Sequence, residues 1–252
     1  MRHPLAILAA ALPLSATAQD GGTILQFEAG LGVQSAPLYF GSDETETGVT
    51  GSFSFGCFER GSIRLGCDDT PGWGLTGSVR VVGERPGVFE DVPDDIAIDP
   101  LFTYDTVDPA IELGGGLAYT APDVEAFAVI RRGFGGHEGW VAEAGADLVL
   151  PATDRLTLRA GPRLLAADDM FMDTYFATGA GFLGTGAYDP DGGLVSAGVQ
   201  LSARYDVTDA WAVTGTARYD QLLDDAAASP ITQSTDQTTL SLVVSRAFDL
   251  RF

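Results

Sequence analysis

Apolar residues return at every second position along most of this chain, and the alternation runs to the final residue. In Leu25-Gln26-Phe27-Glu28-Ala29-Gly30-Leu31-Gly32-Val33 the odd positions are apolar and the even ones are polar, acidic or Gly. Period two sends successive side chains to opposite faces of a strand, so the chain is built from strands with two unlike faces. The same reading marks segments near 49–57, 62–67, 74–83, 110–119, 123–133, 139–150, 155–166, 173–180, 194–205, 210–220 and 237–252. These predict about twelve strands, within a range of about ten to fourteen. The pattern is weakest near 62 and 173, and segment 123–133 is apolar on both faces. Turn signals separate the segments, among them Asp68-Asp69-Thr70-Pro71-Gly72, Ala121-Pro122-Asp123, Pro151-Ala152-Thr153-Asp154 and Asp206-Val207-Thr208-Asp209.

A soluble sandwich would also alternate, and three features favour lipid over water. The non-apolar faces carry Glu143 and Asp147, Arg159 and Arg163, Gln200 and Arg204, and Thr214, Thr216 and Arg218. A dry core cannot hold so many polar groups cheaply, whereas a wet lumen can. In Trp211-x-Val213-x-Gly215-x-Ala217-x-Tyr219 two rings share a face eight residues apart, a climb of roughly 20 Å on a tilted strand. That is close to the height between the aromatic girdles of a membrane barrel, and Trp140, Tyr119 and Tyr205 suit similar positions. Finally, Leu240, Leu242, Val244, Phe248, Leu250 and Phe252 alternate to an aromatic terminus, with Phe252 in the place of an outer-membrane assembly signal. Arg246 breaks that face and is expected at an interface, or snorkelling to one. Unpaired backbone is too costly in hydrocarbon for an open sheet to persist there. The expected fold is therefore an all-β transmembrane antiparallel up-and-down β-barrel, with short turns at one end. Longer acidic or polar loops are expected at 84–109, 166–173 and 221–236.

The formal charge is −21, from 35 acids against 14 bases, every one of them Arg. Such a field opposes capture of nucleic acid, which is excluded as a partner. Arg2 and His3, the apolar stretch from Pro4 to Ser15 and the small-x-small Ala16-Thr17-Ala18 read as a secretory signal peptide over 1–18, leaving 19–252 as the barrel domain. Export to an oxidising compartment makes Cys57 and Cys67 a structural disulfide rather than a redox or metal pair, for which CxxC spacing is lacking. The expected location is the outer membrane of a Gram-negative bacterium. Outer-membrane lipid, lipopolysaccharide and the barrel assembly machinery are the expected partners.

Several groups of residues carry a family likeness. They are Gly30-Leu31-Gly32-Val33 with Pro37-Leu38-Tyr39-Phe40-Gly41-Ser42-Asp43, Ile111-Glu112-Leu113-Gly114, Gly136-His137-Glu138-Gly139 and Asp173-Thr174-Tyr175-Phe176. Tyr219-Asp220-Gln221-Leu222-Leu223-Asp224-Asp225-Ala226 and Ser229-Pro230-Ile231 follow near the end. In order and spacing the chain resembles the MipA/OmpV family of outer-membrane proteins over nearly its whole mature length. The resemblance implies a barrel without catalysis, and in some members a scaffold joining a lytic transglycosylase to a peptidoglycan synthase. The Cys57/Cys67 pair, the absence of Lys and the acidic segment 84–109 depart from that pattern.

Candidates for chemistry are few. His137 is the one His after the signal segment; it sits in Gly135-Gly136-His137-Glu138-Gly139, and a turn or rim role outweighs catalysis. Val141 stands where the second His of HExxH would be. Asp94-Asp95, Asp168-Asp169 and Asp224-Asp225 read as solvated loop acids rather than a metal site. No catalytic residue and no cofactor are expected. The charges assigned to the lumen are Glu28, Glu112, Glu143 and Asp147 against Arg159, Arg163, Arg204 and Arg218. They either pair across the interior and plug it or form facing arcs of a small cation-preferring pore. Glu112 and His137, with the turn residues Gly136 and Gly139, are the family-like positions of this set.

Overall fold

The computed structural model describes residues 22–60, 71–85, 87, 106–179 and 186–252, and the backbone of 63–65. Ten long strands form one antiparallel sheet: β1 (Thr23–Pro37), β2 (Thr45–Arg60), β4 (Gly72–Val82), β5 (Ala110–Thr120), β6 (Val124–Gly135), β7 (Trp140–Thr153), β8 (Leu156–Ala167), β9 (Gly193–Asp206), β10 (Trp211–Leu222) and β11 (Asp236–Arg251). A three-residue β3 (Ile63–Leu65) pairs only with Phe58–Arg60 at the end of β2. Neighbours in sequence are neighbours in space, and β1 pairs with β11 from Ile24↔Arg251 to Ser35↔Leu240, so the sheet curls into an up-and-down barrel. The ends of the sheet, β2 and β4, meet there: a Cβ built on Gly77 would lie 3.8 Å from the Cβ of Phe55.

Pairing register assigns the two faces. Leu148, Ala160, Leu201, Ala217 and Leu240 align from β7 to β11 on the outside. One step along, Gly161, Gln200, Arg218 and Thr239 align on the inside. Leu31, Val49 and Leu148 are each about two-thirds exposed, an apolar exterior that only hydrocarbon covers without penalty. Exposed aromatics ring both ends: Phe134, Trp140 and Tyr219 at one, Trp73, Tyr205 and Trp211 at the other. Tyr119 meets Trp73 at a tilt, with 5.2 Å between ring centroids. The guanidinium of Arg246 lies 5.5 Å from the Trp211 ring and 5.1 Å from Phe248, so the charge that breaks the apolar face of β11 sits in the aromatic girdle.

The turns at 121–123, 154–155 and 207–210 share one end with both strand termini, where Thr23 and Phe252 exchange backbone hydrogen bonds of 2.9 and 3.0 Å. Most of the longer connections lie at the other end, the stretch between Arg60 of β2 and Gly72 of β4 being the exception, and this arrangement makes the short-turn end periplasmic. The segment expected as a strand near 173 is instead helix α1 (Asp169–Phe176). Asp168 supplies the N-cap, accepting 3.0 Å from the Phe171 N–H, and Phe171, Met172, Tyr175 and Phe176 share one buried face. The segment near 62 yields only β3. Ten spanning strands remain, inside the expected range. A five-residue α2 (Asp224–Ala228) lies in the last long loop.

Candidate functional site

An unbroken zigzag of ion pairs crosses the lumen. Arg80 of β4 donates through Nε and Nη2 to Glu112 of β5 at 2.8 and 2.6 Å. Arg131 of β6 donates to the same carboxylate at 2.9 Å and to Glu143 of β7 at 2.7 Å, and its Nη1 reaches Ser78 at 3.0 Å. From the opposite wall, Arg218 of β10 closes on Glu143 at 2.7 Å and on Asp220 at 2.6 Å. Three guanidinia thus balance three carboxylates. Glu112 is wholly buried and the Arg131 side chain is 3% exposed, so neither charge could remain there without its partner. Nearer the periplasmic end, Arg163 pairs with Asp147 at 2.8 Å, Arg159 with Glu125 at 2.9 Å, and Arg204 with Glu28 at 2.6 Å. The Arg204–Glu28 bridge also crosses the interior, from β9 to β1.

Above the zigzag the lumen changes character. Val82, Ala110, Val141, Leu165, Val195 and Leu222, all at the loop ends of their strands, join the buried face of α1 in one apolar cluster. Phe40 of the first long loop packs edge-on against Phe171 and Tyr175 at 5.6 and 5.4 Å. Arg85 and Ser229 hold the helix from outside, donating to the carbonyls of Tyr175 at 3.0 Å and Phe176 at 2.6 Å. α1 is therefore a cap, sealed by hydrophobic contact across the outer mouth.

His137 couples cap to zigzag. Its Nε2 lies 3.2 Å from a Glu112 carboxylate oxygen, and its ring meets Phe171 and Tyr175 edge-on at 5.0 and 5.6 Å. Gly133 faces this imidazole, and any side chain there would overlap it. Gly135 turns the hairpin at φ +103°, and a Cβ on Gly136 would strike the Asp108 carbonyl. Gly139 is pressed against Asp168 and Phe171 at the start of α1. The glycines of the family-like turn thus serve close packing of cap against hairpin.

Burial pushes the Tyr175 phenol up to about 12, with the Glu112 charge adding to the effect. Among the described residues its hydroxyl has no hydrogen-bond partner. A neutral phenol is retained by the closed cap, while an opened cap releases it to ionise near 10. The cap should therefore lose about 1.4 kcal/mol of stability per pH unit between about 10 and 12. Ultraviolet titration should show one tyrosinate appearing late, together with protease cleavage near α1. A phenol that titrates with the exposed tyrosines would contradict the closed cap.

The remaining candidates fall into place separately. Cys57 is buried on β2 and is not free, while Cys67 lies outside the described residues. The same holds for the signal segment 1–18 and Asp94-Asp95. Asp169 accepts 2.6 Å from the Gly192 N–H and Asp225 accepts 3.0 Å from the Asp191 N–H, so these acids organise the outer loops. Among the described residues no group of three or more His, Cys, Asp or Glu is placed to hold a metal. Sequence reading missed Arg80, Arg131, Glu125 and Asp220. Arg131 and Glu125 were legible as the polar ends of an inward row whose middle is Phe127 and Val129.

The family model described as MltA-interacting protein MipA matches residues 29–248. No curated protein sequence matches. Among solved structures, the chain is similar to the NanC porin at 8% identity and TM-score 0.39, covering 90% of this chain and 98% of that one. It is also similar to OmpT of Vibrio cholerae at 7% identity and TM-score 0.34, covering 92% and 99%. For the neisserial surface protein NspA the identity is 12% and the TM-score 0.26, with 90% and 98% covered. An apolar, girdled exterior around a paired polar lumen and a family match across most of its length together show that this chain belongs to the MipA family, as an outer-membrane β-barrel.

Proposed function

We propose that the protein is a closed, non-enzymatic outer-membrane scaffold that docks peptidoglycan-remodelling enzymes at its periplasmic end. The observation that carries this reading is the double closure of the lumen, by the zigzag from Arg80 to Asp220 and by the α1 cap. A cation-preferring pore needs uncommitted lumen charges, and here the acids are bonded to guanidinia. The family's description as MltA-interacting supports an MltA-type partner, which this reading takes to be a lytic transglycosylase, with a peptidoglycan synthase as the second partner that the family resemblance implies. Docking falls to the short turns, where Asp123, Asp154 and Asp209 are exposed beside the single Arg155, a surface complementary to a basic partner. In the same reading, cleavage after Ala18 frees the mature chain, Cys57 bonds to Cys67 below β2, Phe252 is read by the assembly machinery, and lipopolysaccharide surrounds the outer loops.

Refolded protein in planar bilayers should carry no stepwise ion current, while beads bearing it should retain a lytic transglycosylase from solubilised envelopes. Asn at Asp123, Asp154 and Asp209 together should lower that retention about tenfold, leaving the barrel unchanged. Steady conductance from the wild-type protein would refute closure, and capture indifferent to the three substitutions would refute docking at the turns.

A further inference from the structure

One line of the barrel wall is not zipped. Both β2 and β4 are described along their whole length and run side by side at Phe55 and Gly77, yet no register of hydrogen-bonded pairs joins them; Phe58–Arg60 pair instead with β3, so the open stretch is β2 up to Phe55. Every other pair of long neighbours in the sheet has such a register. Unpaired backbone N–H and C=O groups facing hydrocarbon cost several kcal/mol each, so something polar must reach this seam from within.

The two sides of the seam differ chemically. Pairing with β1 places Val49, Phe53 and Phe55 outward and Thr50, Ser52 and Ser54 toward the lumen. On β4, Leu75 and Val79 face out while Thr76 and Ser78 face in. Ser52 and Ser54 are exposed to solvent, unlike the lumen residues beneath the cap, so water reaches the seam. Of the two guanidinia on these strands, Arg60 stands at the periplasmic end of β2 and Arg80 is already committed to both oxygens of Glu112. Mid-seam, an apolar outer lip therefore faces a wet, uncharged, hydroxyl-rich inner one. Axial entry is closed by the cap, which leaves the wall as the route into this compartment.

We propose that the β2–β4 seam opens laterally and admits a single-chain amphiphile with an uncharged hydrogen-bonding head, its chain lying between Phe53, Phe55 and Val79 and its head on Thr50, Ser52 and Ser54. The head groups of such a molecule satisfy the unpaired backbone that hydrocarbon cannot. The lateral route rests on axial closure by the cap but not on docking at the turns, and its test reads the β2–β4 wall separately from both.

The probe is a monoacylglycerol carrying a diazirine near its head, incorporated into phospholipid vesicles with the full-length protein. Irradiation and peptide mapping should find adducts on the lumen residues Thr50, Ser52 or Ser54 as well as on outward Val49 and Phe53. The 3.8 Å Cβ separation at Phe55 and Gly77 suits a disulfide. Oxidised Phe55→Cys/Gly77→Cys protein should lose the lumen adducts about tenfold and keep the outward ones. Locking the paired β1–β11 seam with Ala29→Cys/Arg246→Cys should change neither set. Wild-type adducts confined to outward residues would overturn the proposal without any variant having to fold. Lumen adducts that survive the β2–β4 lock would overturn it as well.

Discussion

Glu112→Gln should destabilise the barrel by about 3–5 kcal/mol, the cost of leaving a buried charge without its partner. Glu112 is fully buried and receives hydrogen bonds from Arg80 and Arg131, with His137 Nε2 against it at 3.2 Å. A neutral amide of the same shape keeps the volume and removes the charge, so Arg131, 3% exposed, faces only Glu143 for compensation. At about 2–4 °C per kcal/mol for a chain of this size, the boiled-to-unboiled mobility shift in detergent gels should move down by ~10 °C. Arg131→Gln added to Glu112→Gln should recover part of the loss, because the deeply buried guanidinium is then no longer orphaned and the one left over, Arg80, is 24% exposed. A Glu112→Gln barrel melting with the wild type would mean that the zigzag is not the brace described here.

Phe171→Ala should cost the cap about 3–5 kcal/mol, since the ring is wholly buried among Phe40, His137 and Tyr175. Limited proteolysis of intact cells or proteoliposomes should then cut near α1, at sites resistant in the wild type. Ion current should stay low, because Arg218 and Glu143 still span the lumen. Joining Phe171→Ala to Glu143→Ser and Arg218→Ser removes both closures and should produce steady conductance. Unchanged protease resistance in the single variant would show that α1 is not held by this cluster, and a silent triple variant would show that closure lies elsewhere.

Much of the architecture was legible because a lipid-facing strand obeys a strict rule. Leu25 to Val33 and Leu240 to Phe252 alternate since one face meets hydrocarbon and the other water. The outward position of Trp211, Tyr219 and Arg246 followed from the same periodicity. Lumen residues such as Glu28, Glu143, Arg163 and Arg204 were legible as facing inward but not as bonded to one another. Glu143 and Arg218 are 75 positions apart, and Glu28 and Arg204 are 176 apart, so nothing local in the sequence links them. The segment near 173 misled because Met172-x-Thr174-x-Phe176 mimics neither period cleanly, and capping by Asp168 together with apolar burial decided for helix.

The sequence by itself determined that this is an acidic, two-faced β chain that must close in lipid. That follows from a local rule, the direction of each side chain from its own backbone. Only the tertiary structure decided that the charges cancel in a zigzag, that α1 seals the outer mouth over His137, and that β2 and β4 meet without a ladder. Those outcomes depend on which distant strands the barrel's curvature brings face to face, and no repeat along the chain encodes that distance.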